Sequence, residues 1–274
     1  MTRLEEFGYR GEAREGVARV VSAHGDYYHL VCNECGGEIL ARKKKSAFPP
    51  FNPDAIAPIT GDFVSFRYNA QGESMILETL PRFSHFERRD PTARRKAQTL
   101  AVNFDTLFIM MSMNENFSLA RLERFLALAA DMGEAEAVLV LTKCDLAADW
   151  TEPPELAALV AGRCRTLRIS SVTGEGLDAV RDIVAPGRTV AFIGSSGVGK
   201  STLLNTLAGE EWAATQEIQE WSGKGRHTTT SRELVRLADG AMVIDTPGIR
   251  EIGRVGEEDL EIAKGESTHR FRLK

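Results

Sequence analysis

Short stretches of β-branched and aromatic residues fill the first third of the chain, and then the hydrophobic pattern changes. The segments GVARVVSAHG (16–25), DYYHLVC (26–32), GEILARK (37–43), GDFVSFRY (61–68) and SMILETL (74–80) read as strands. Gly25-Asp26, Gly36-Gly37, Gly61-Asp62 and Gln71-Gly72 punctuate them with turn chemistry. About five short strands in so little chain predict a small closed all-β barrel, either an OB-fold or an SH3-like barrel. From residue 99 apolar runs alternate with helical patterns. TLFIMMSM (106–113), AVLVLT (137–142), TLRIS (166–170) and TVAFIG (189–194) read as buried strands. SLARLERFLALAADMG (118–133) places Leu119, Leu122, Phe125, Leu126 and Ala129 at helical spacing. PELAALVAG (154–162), GLDAVRDIV (176–184) and KSTLLNTLAG (200–209) are further helices, and SRELVRL (231–237) and AMVID (241–245) further strands. Such alternation predicts a mostly parallel sheet with helices on both faces. The expected organisation is a barrel over 1–84, a basic linker over 85–98, an α/β domain over 99–255 and a short polar tail over 256–274.

Charge narrows the possible partners. The net charge of -5 excludes a general polyanion binder, so any nucleic-acid contact must come from a local basic patch. Two exist: Arg42, Lys43, Lys44 and Lys45 in the barrel, and Arg82, Arg88, Arg89, Arg94, Arg95 and Lys96 at the linker. Each is a candidate contact for RNA phosphates or a solvated charge run. Tyr27, Tyr28, Phe48 and Phe51 are candidates for stacking on bases or for the barrel core. The N-terminus MTRLEEFGYR lacks the apolar stretch of a signal peptide, and no apolar run is long enough to span a membrane. A cytoplasmic protein without membrane contact is expected. Of the four cysteines, Cys32 and Cys35 form a CxxC that lacks two further zinc ligands, so two unliganded thiols are expected.

The chemistry lies in the α/β part. GSSGVGKS (194–201) fits the P-loop pattern in full, after an apolar strand and at the opening of a helix. The backbone N–H groups of Gly194, Ser195, Ser196, Gly197, Val198 and Gly199 would face phosphate oxygens, aided by the helix N-terminus. Lys200 would reach the β- and γ-phosphates, the Ser201 hydroxyl would bind Mg²⁺, and Thr202 completes the first helical turn. Thr142, Lys143, Cys144 and Asp145 end a strand as TKCD. The Asp145 carboxylate would accept from guanine N1–H and the 2-amino group, a donor pair that adenine lacks, so GTP is preferred to ATP. The Lys143 stem would lie along the base plane. Thr142 stands where Asn is more usual, a departure expected to weaken base affinity. Ser170, Ser171 and Val172 begin a loop suited to backing the base. Asp245 and Gly248 belong to DTPG, whose Asp would lie near Mg²⁺ and whose Gly N–H would meet the γ-phosphate. The polar stretch 209–231 suits a switch loop. One of Thr228, Thr229 and Thr230 would give the second hydroxyl on Mg²⁺, and Thr229 is favoured. Ile249 follows DTPG and cannot orient water as a Gln would; His227 is the candidate for that task, or else a solvated loop histidine.

Motif order is the most specific feature. The base-reading loops precede the P-loop, whereas the usual order is the reverse, so the domain is circularly permuted. Permutation is tolerated because domain termini lie close together on the surface. Together with ETLPRFSHFERRD, NFDTLFIM, LTKCDL, SSVTGEGL, GSSGVGKST, GRHTTT and DTPGIRE, this arrangement resembles the circularly permuted GTPases of small-ribosomal-subunit biogenesis, the RsgA, YjeQ or YloQ family. The resemblance implies an α/β P-loop GTPase domain behind an OB-fold barrel. It also implies GTP/GDP and Mg²⁺ as ligands, GTP hydrolysis, and the small ribosomal subunit with its rRNA as partner. It puts the family's switch histidine on His227. A monomer is expected. The family's C-terminal zinc domain is expected to be missing here, because no cysteine follows Cys164 and His269 stands alone. A GTP-gated RNA- or ribosome-binding module with little hydrolysis is the alternative.

Overall fold

The structure, a computed structural model, describes residues 2–12, 15–88, 98–209 and 233–245. A short helix α1 (Arg3–Glu6) opens the chain, closed at its start by a capping box between Thr2 and Glu5. Five strands follow: β1 (Val17–His24), β2 (Tyr27–Cys32), β3 (Glu38–Lys43), β4 (Phe63–Arg67) and β5 (Ser74–Thr79). They pair in the order β1-β2-β3-β5-β4, and β4 returns to β1 to close the barrel. The β3–β5 pair is parallel and the others are antiparallel. This Greek-key closure is that of an OB-fold and settles the alternative the strand spacing left open. Alternation along the strands sends Val20, Leu30, Ala41, Val64 and Ile76 into the barrel.

Alternation separates Tyr27 from Tyr28 on β2, and the turn after β3 separates Phe48 from Phe51. Tyr28 is buried in the barrel while Tyr27 is exposed; Phe48 is buried and Phe51 exposed. Of the four aromatic candidates for base stacking, Tyr28 and Phe48 are therefore core residues. Cys32 and Cys35 also depart from expectation. They are joined as a disulfide across the β2–β3 turn rather than standing as free thiols.

The stretch expected as a linker begins and ends as strand. β6 (His85–Arg88) and β7 (Gln98–Val102) pair antiparallel as a separate two-stranded sheet. The nucleotide-type domain then runs β8 (Thr106–Ser112), α2 (Leu119–Ala129), β9 (Glu136–Thr142), α3 (Glu155–Val160), β10 (Arg165–Ile169), α4 (Leu177–Ile183), β11 (Thr189–Ile193), α5 (Lys200–Ala208), β12 (Glu233–Arg236) and β13 (Met242–Asp245). Its strands lie in the order β10-β9-β8-β11-β13-β12, parallel except for β12 at the edge. Both faces are covered. Ile109, Leu139 and Ile193 pack with Leu122 and Phe125 of α2, whereas Phe108, Val140 and Phe192 pack with Val180 of α4 and Leu203 of α5. A sheet buried on both sides reads as unbroken apolar runs, which is how these strands read. The chain proceeds from β8 outward to β9 and β10, then returns to place β11 on the other side of β8. Ligands bind outside the carboxyl ends of strands at such a reversal.

Barrel and sheet are joined along β1, which meets β12 beside Asp245 and reaches the amino ends of β11 and β13 through Arg19. Strand β1 pairs with β12 at Ser22 and Glu233, which makes one continuous ladder. Beside this joint, Arg19 of β1 is fully buried. Its Nη1 donates to the Phe7 carbonyl and, at 2.9 Å, to the Thr189 hydroxyl; its Nη2 donates to the Asn103 carbonyl at 2.9 Å. Burial pulls the guanidinium down to about 9, with Asp105 and Asp62 acting against it. Asp62, buried as well, accepts from Arg82 Nε and Nη2, each at 2.8 Å.

Candidate functional site

The phosphate loop follows from the sterics of its glycines. β11 is buried along its whole length and ends at Ile193. At Gly194 the backbone takes φ 153°, and a Cβ there would lie 2.6 Å from the Met110 carbonyl oxygen and 3.0 Å from Val198 Cγ1. Gly197 and Gly199 adopt φ 73° and 107°, conformations that side chains resist. The loop thus curls tightly against β8, and α5 starts at Lys200. Gly199 caps this helix without a side chain, so no side-chain cap takes up the N–H groups of the first turn. Such free N–H groups at a helix start, with the helix dipole, favour an anion. Lys200 Nζ donates to the carbonyls of Gly194 (2.6 Å) and Ser195 (2.7 Å), which holds the ammonium over the loop. Ser196, Gly197, Ser201 and Thr202 are exposed at the mouth, whereas Val198 is buried beneath it.

The TKCD loop is tied to the P-loop by a hydrogen bond. Thr142, the last residue of β9, is buried, and its hydroxyl donates to the Val198 carbonyl at 2.6 Å. Thr142, the residue that departs from the usual Asn, is thus also a tether between the two loops. Lys143 then takes a left-handed conformation, φ 62° and ψ 37°, which for a non-glycine residue is held only by its surroundings. Cys144–Leu146 forms a 3₁₀ turn that leaves Asp145 exposed. Next to it, β10 ends at Ile169, in register with Thr142. Ser170 is buried and its Oγ accepts from the N–H groups of Val172 (3.2 Å) and Thr173 (3.1 Å), curling the loop. Ser171 is half-buried and Val172 exposed.

The structure therefore gathers Thr142–Asp145, Ser170–Val172 and Gly194–Thr202 at the carboxyl ends of β9, β10 and β11. Asp245 ends β13, which is parallel to β11, so the chain leaves the sheet there on the same side as the P-loop. Its side chain, and His227, Thr229 and Gly248, lie outside the described residues. Among the described residues the only His/Cys/Asp/Glu cluster of metal-binding shape is Cys32, Glu34 and Cys35, where both sulfurs are already used in the disulfide. No helix of the described residues is long and apolar enough to cross a membrane.

Sequence reading did not single out Glu175. Burial first, then the nearby Glu175 carboxylate and the Asp145 charge, push the Cys144 thiol above its ordinary range. Glu175 lies in the TGEG run between Gly174 and Gly176, which both take positive φ.

Comparison with known proteins agrees with this geometry. The model of the RsgA GTPase family matches residues 79–255. Small ribosomal subunit biogenesis GTPase RsgA 2 of Lactiplantibacillus plantarum is 42% identical over 252 residues, covering 90% of this chain and 70% of that protein. RsgA 1 of Listeria innocua is 38% identical over 257 residues, 91% of this chain and 71% of its own. In fold, the chain resembles YjeQ from Thermotoga maritima (TM-score 0.61, 24% identity, 86% of this chain and 76% of that one). It also resembles YloQ, a circularly permuted GTPase (TM-score 0.52, 21% identity, 87% and 74%). With a P-loop, a base loop tied to it and a permuted order inside the matched span, this chain belongs to the RsgA GTPase family.

Proposed function

We propose that this chain binds and hydrolyses GTP in the maturation of the small ribosomal subunit, working as a monomer in the cytoplasm. The observation that supports the nucleotide assignment is the Thr142–Val198 hydrogen bond, which ties the TKCD loop to the P-loop. Asp145 reads guanine N1–H and the 2-amino group, and Ser170–Val172 back the base. The P-loop N–H groups and Lys200 take the phosphates. The exposed Ser201 hydroxyl, on a first turn without a side-chain cap, suits Mg²⁺, with Thr229 and Asp245 completing its protein contacts. The metal, when bound, neutralises charge on the phosphate oxygens. His227 orients the attacking water, since Ile249 cannot.

The small-subunit assignment is supported by the curated relatives, which bear that function in their names. For contact with rRNA the barrel offers Arg42, with its guanidinium 4.2 Å from the Tyr27 ring, together with Lys43–Lys45. The deciding experiment measures GTP hydrolysis with and without purified small subunits, for this protein and for Lys200→Ala. Strong stimulation that is lost with Lys200→Ala is expected. Intact GTP binding with no stimulation would refute the ribosomal role and leave a GTP-gated binding module.

A further inference from the structure

We infer that the side-chain amide of Asn114 is a base-binding group of the nucleotide site, donating to N7 of the guanine where Thr142 has no donor left to offer. The inference rests on the nucleotide reading proposed above. It adds a contact from the loop after β8, a strand that carries none of the sequence motifs.

The sheet decides where Asn114 stands. β8 lies between β9, which ends in the TKCD loop, and β11, which ends in the P-loop. Its last residue, Ser112, is in register with Thr142 on one side. On the other side the Met110 carbonyl oxygen lies 2.6 Å from where a Cβ on Gly194 would sit. The loop after β8 is then tied twice to the segment that holds TKCD. The Met113 N–H donates to the Thr142 carbonyl at 2.9 Å, and the Phe117 ring meets the Trp150 ring edge-on with centroids 5.6 Å apart. Asn114 lies between these two ties, at the reversal of strand order where ligands of such sheets bind.

The amide is ordered in advance, and its orientation is fixed. Asn114 is half-buried. Its Oδ1 accepts from the Ser112 hydroxyl at 2.8 Å and from the Asn116 N–H at 3.1 Å. Its backbone N–H donates to the Ser112 carbonyl (2.9 Å) and its carbonyl accepts from the Phe117 N–H (3.0 Å). A backbone N–H can only donate, so the amide atom that Asn116 meets is the oxygen, and the NH₂ group faces away from the loop. Among the described residues that NH₂ group has no acceptor. Two donors are thus presented by a side chain whose ordering does not wait for the ligand.

Guanine has the matching acceptor. Its O6 and N7 share one edge, with O6 next to N1 and N7 farther along. Asp145 stands just past the end of β9, so a base held there by N1–H and the 2-amino group turns N7 back toward the strand ends, where Asn114 lies. Thr142 cannot serve N7, because its single hydroxyl proton is donated to the Val198 carbonyl at 2.6 Å. Adenine presents N7 as well. Asn114 therefore adds affinity and orientation for a purine, while Asp145 chooses guanine.

The test is a titration of GTP and of 7-deazaguanosine triphosphate, which has C–H in place of N7, against the full chain and its variants Asn114→Ala and Asn114→Asp. The parent should bind the deaza nucleotide about two- to tenfold more weakly than GTP, the loss of one hydrogen bond. Asn114→Ala should bind GTP about as weakly as the parent binds the deaza nucleotide, and should no longer tell the two apart. Asn114→Asp keeps the size but turns an acceptor toward the N7 lone pair, so its preference should reverse. A residue that only shaped the loop would weaken both nucleotides alike and leave their ratio in place. A parent that binds the two nucleotides equally would overturn the inference without any variant, and so would an Asn114→Ala protein that keeps the parent's ratio. The two levels separate on the parent: no GTP binding at all refutes the nucleotide reading itself, whereas GTP bound in preference to ATP with no sensitivity to N7 sinks Asn114 alone.

Discussion

Replacing Thr142 by valine removes one hydroxyl and almost no volume, so it isolates the tether between base loop and phosphate loop. The Thr142 side chain is buried and its hydroxyl lies 2.6 Å from the Val198 carbonyl oxygen. Valine keeps the β-branched shape that suits the end of β9. What is lost is a buried hydrogen bond, and what remains is a carbonyl deprived of its donor beneath the P-loop. Together these are worth about 1–3 kcal/mol, the upper end applying only if water cannot reach the carbonyl. Because Val198 sits directly under the mouth of the site, water can replace part of the bond, so about 1–2 kcal/mol is the better expectation. If the two loops must be brought into register by the nucleotide instead of by the tether, that energy appears in binding. The GTP dissociation constant should then rise by about five- to thirtyfold. Isothermal titration of GTP and GDP measures it directly, with thermal melting of the nucleotide-free protein as control. Thr142→Ser, which keeps the hydroxyl, should stay close to the parent. A valine variant that binds GTP as tightly as the parent would refute the tether, and so would a serine variant as weak as the valine one.

Two other substitutions test the frame around the site. Gly194→Ala should abolish tight nucleotide binding, because the new Cβ would meet the Met110 carbonyl at 2.6 Å and φ 153° resists a side chain; a GTP titration indistinguishable from the parent would contradict the described loop. Arg19→Ala should lower the stability of the whole chain by about 3–5 kcal/mol in urea unfolding, since it strips the donors from buried carbonyls of Phe7 and Asn103 and empties the joint. An unshifted midpoint there would mean that the barrel is not held by this residue.

What the sequence made legible was local. P-loop, TKCD and SSV are contiguous strings whose chemistry needs fixed spacing, and the strands before them are apolar enough to admit one reading. Long-range closure was not legible. Nothing in GDFVSFRY or SMILETL tells that β3 takes β5 as a parallel neighbour, so two barrel types remained open until the strand order decided. Register hid the fate of Tyr27 and Tyr28, since a strand sends adjacent residues to opposite faces and only pairing says which face is inside. Arg19 was invisible for a different reason: an arginine in a strand reads as solvent-facing, and its acceptors come from residues 7, 103 and 189, far apart in sequence. The β6–β7 pairing was missed because its partners flank a run of arginines that looked like linker.

The permuted order has a structural consequence at β12. In a parallel sheet whose last strands are β13 and β12, the outer side of β12 would present unpaired N–H and C=O groups, an open template for association. Here β1 of the barrel meets that side at Ser22 and Glu233. The same strand carries Arg19, whose guanidinium reaches Thr189 and Met242, the first residues of β11 and β13. The two strands whose first residues Arg19 touches lead to Gly194, about 16 Å further along from Thr189, and to Asp245, about 10 Å along from Met242, at roughly 3.3 Å per residue. The barrel therefore meets the strands of the phosphate site through one β-pair, Ser22 with the exposed Glu233, and from behind through the buried Arg19 at the amino ends of β11 and β13. A load placed on the barrel reaches the base of the P-loop strand through the bond from Arg19 to Thr189. That is the geometry a GTPase needs if what its barrel touches is to be felt where its phosphates lie.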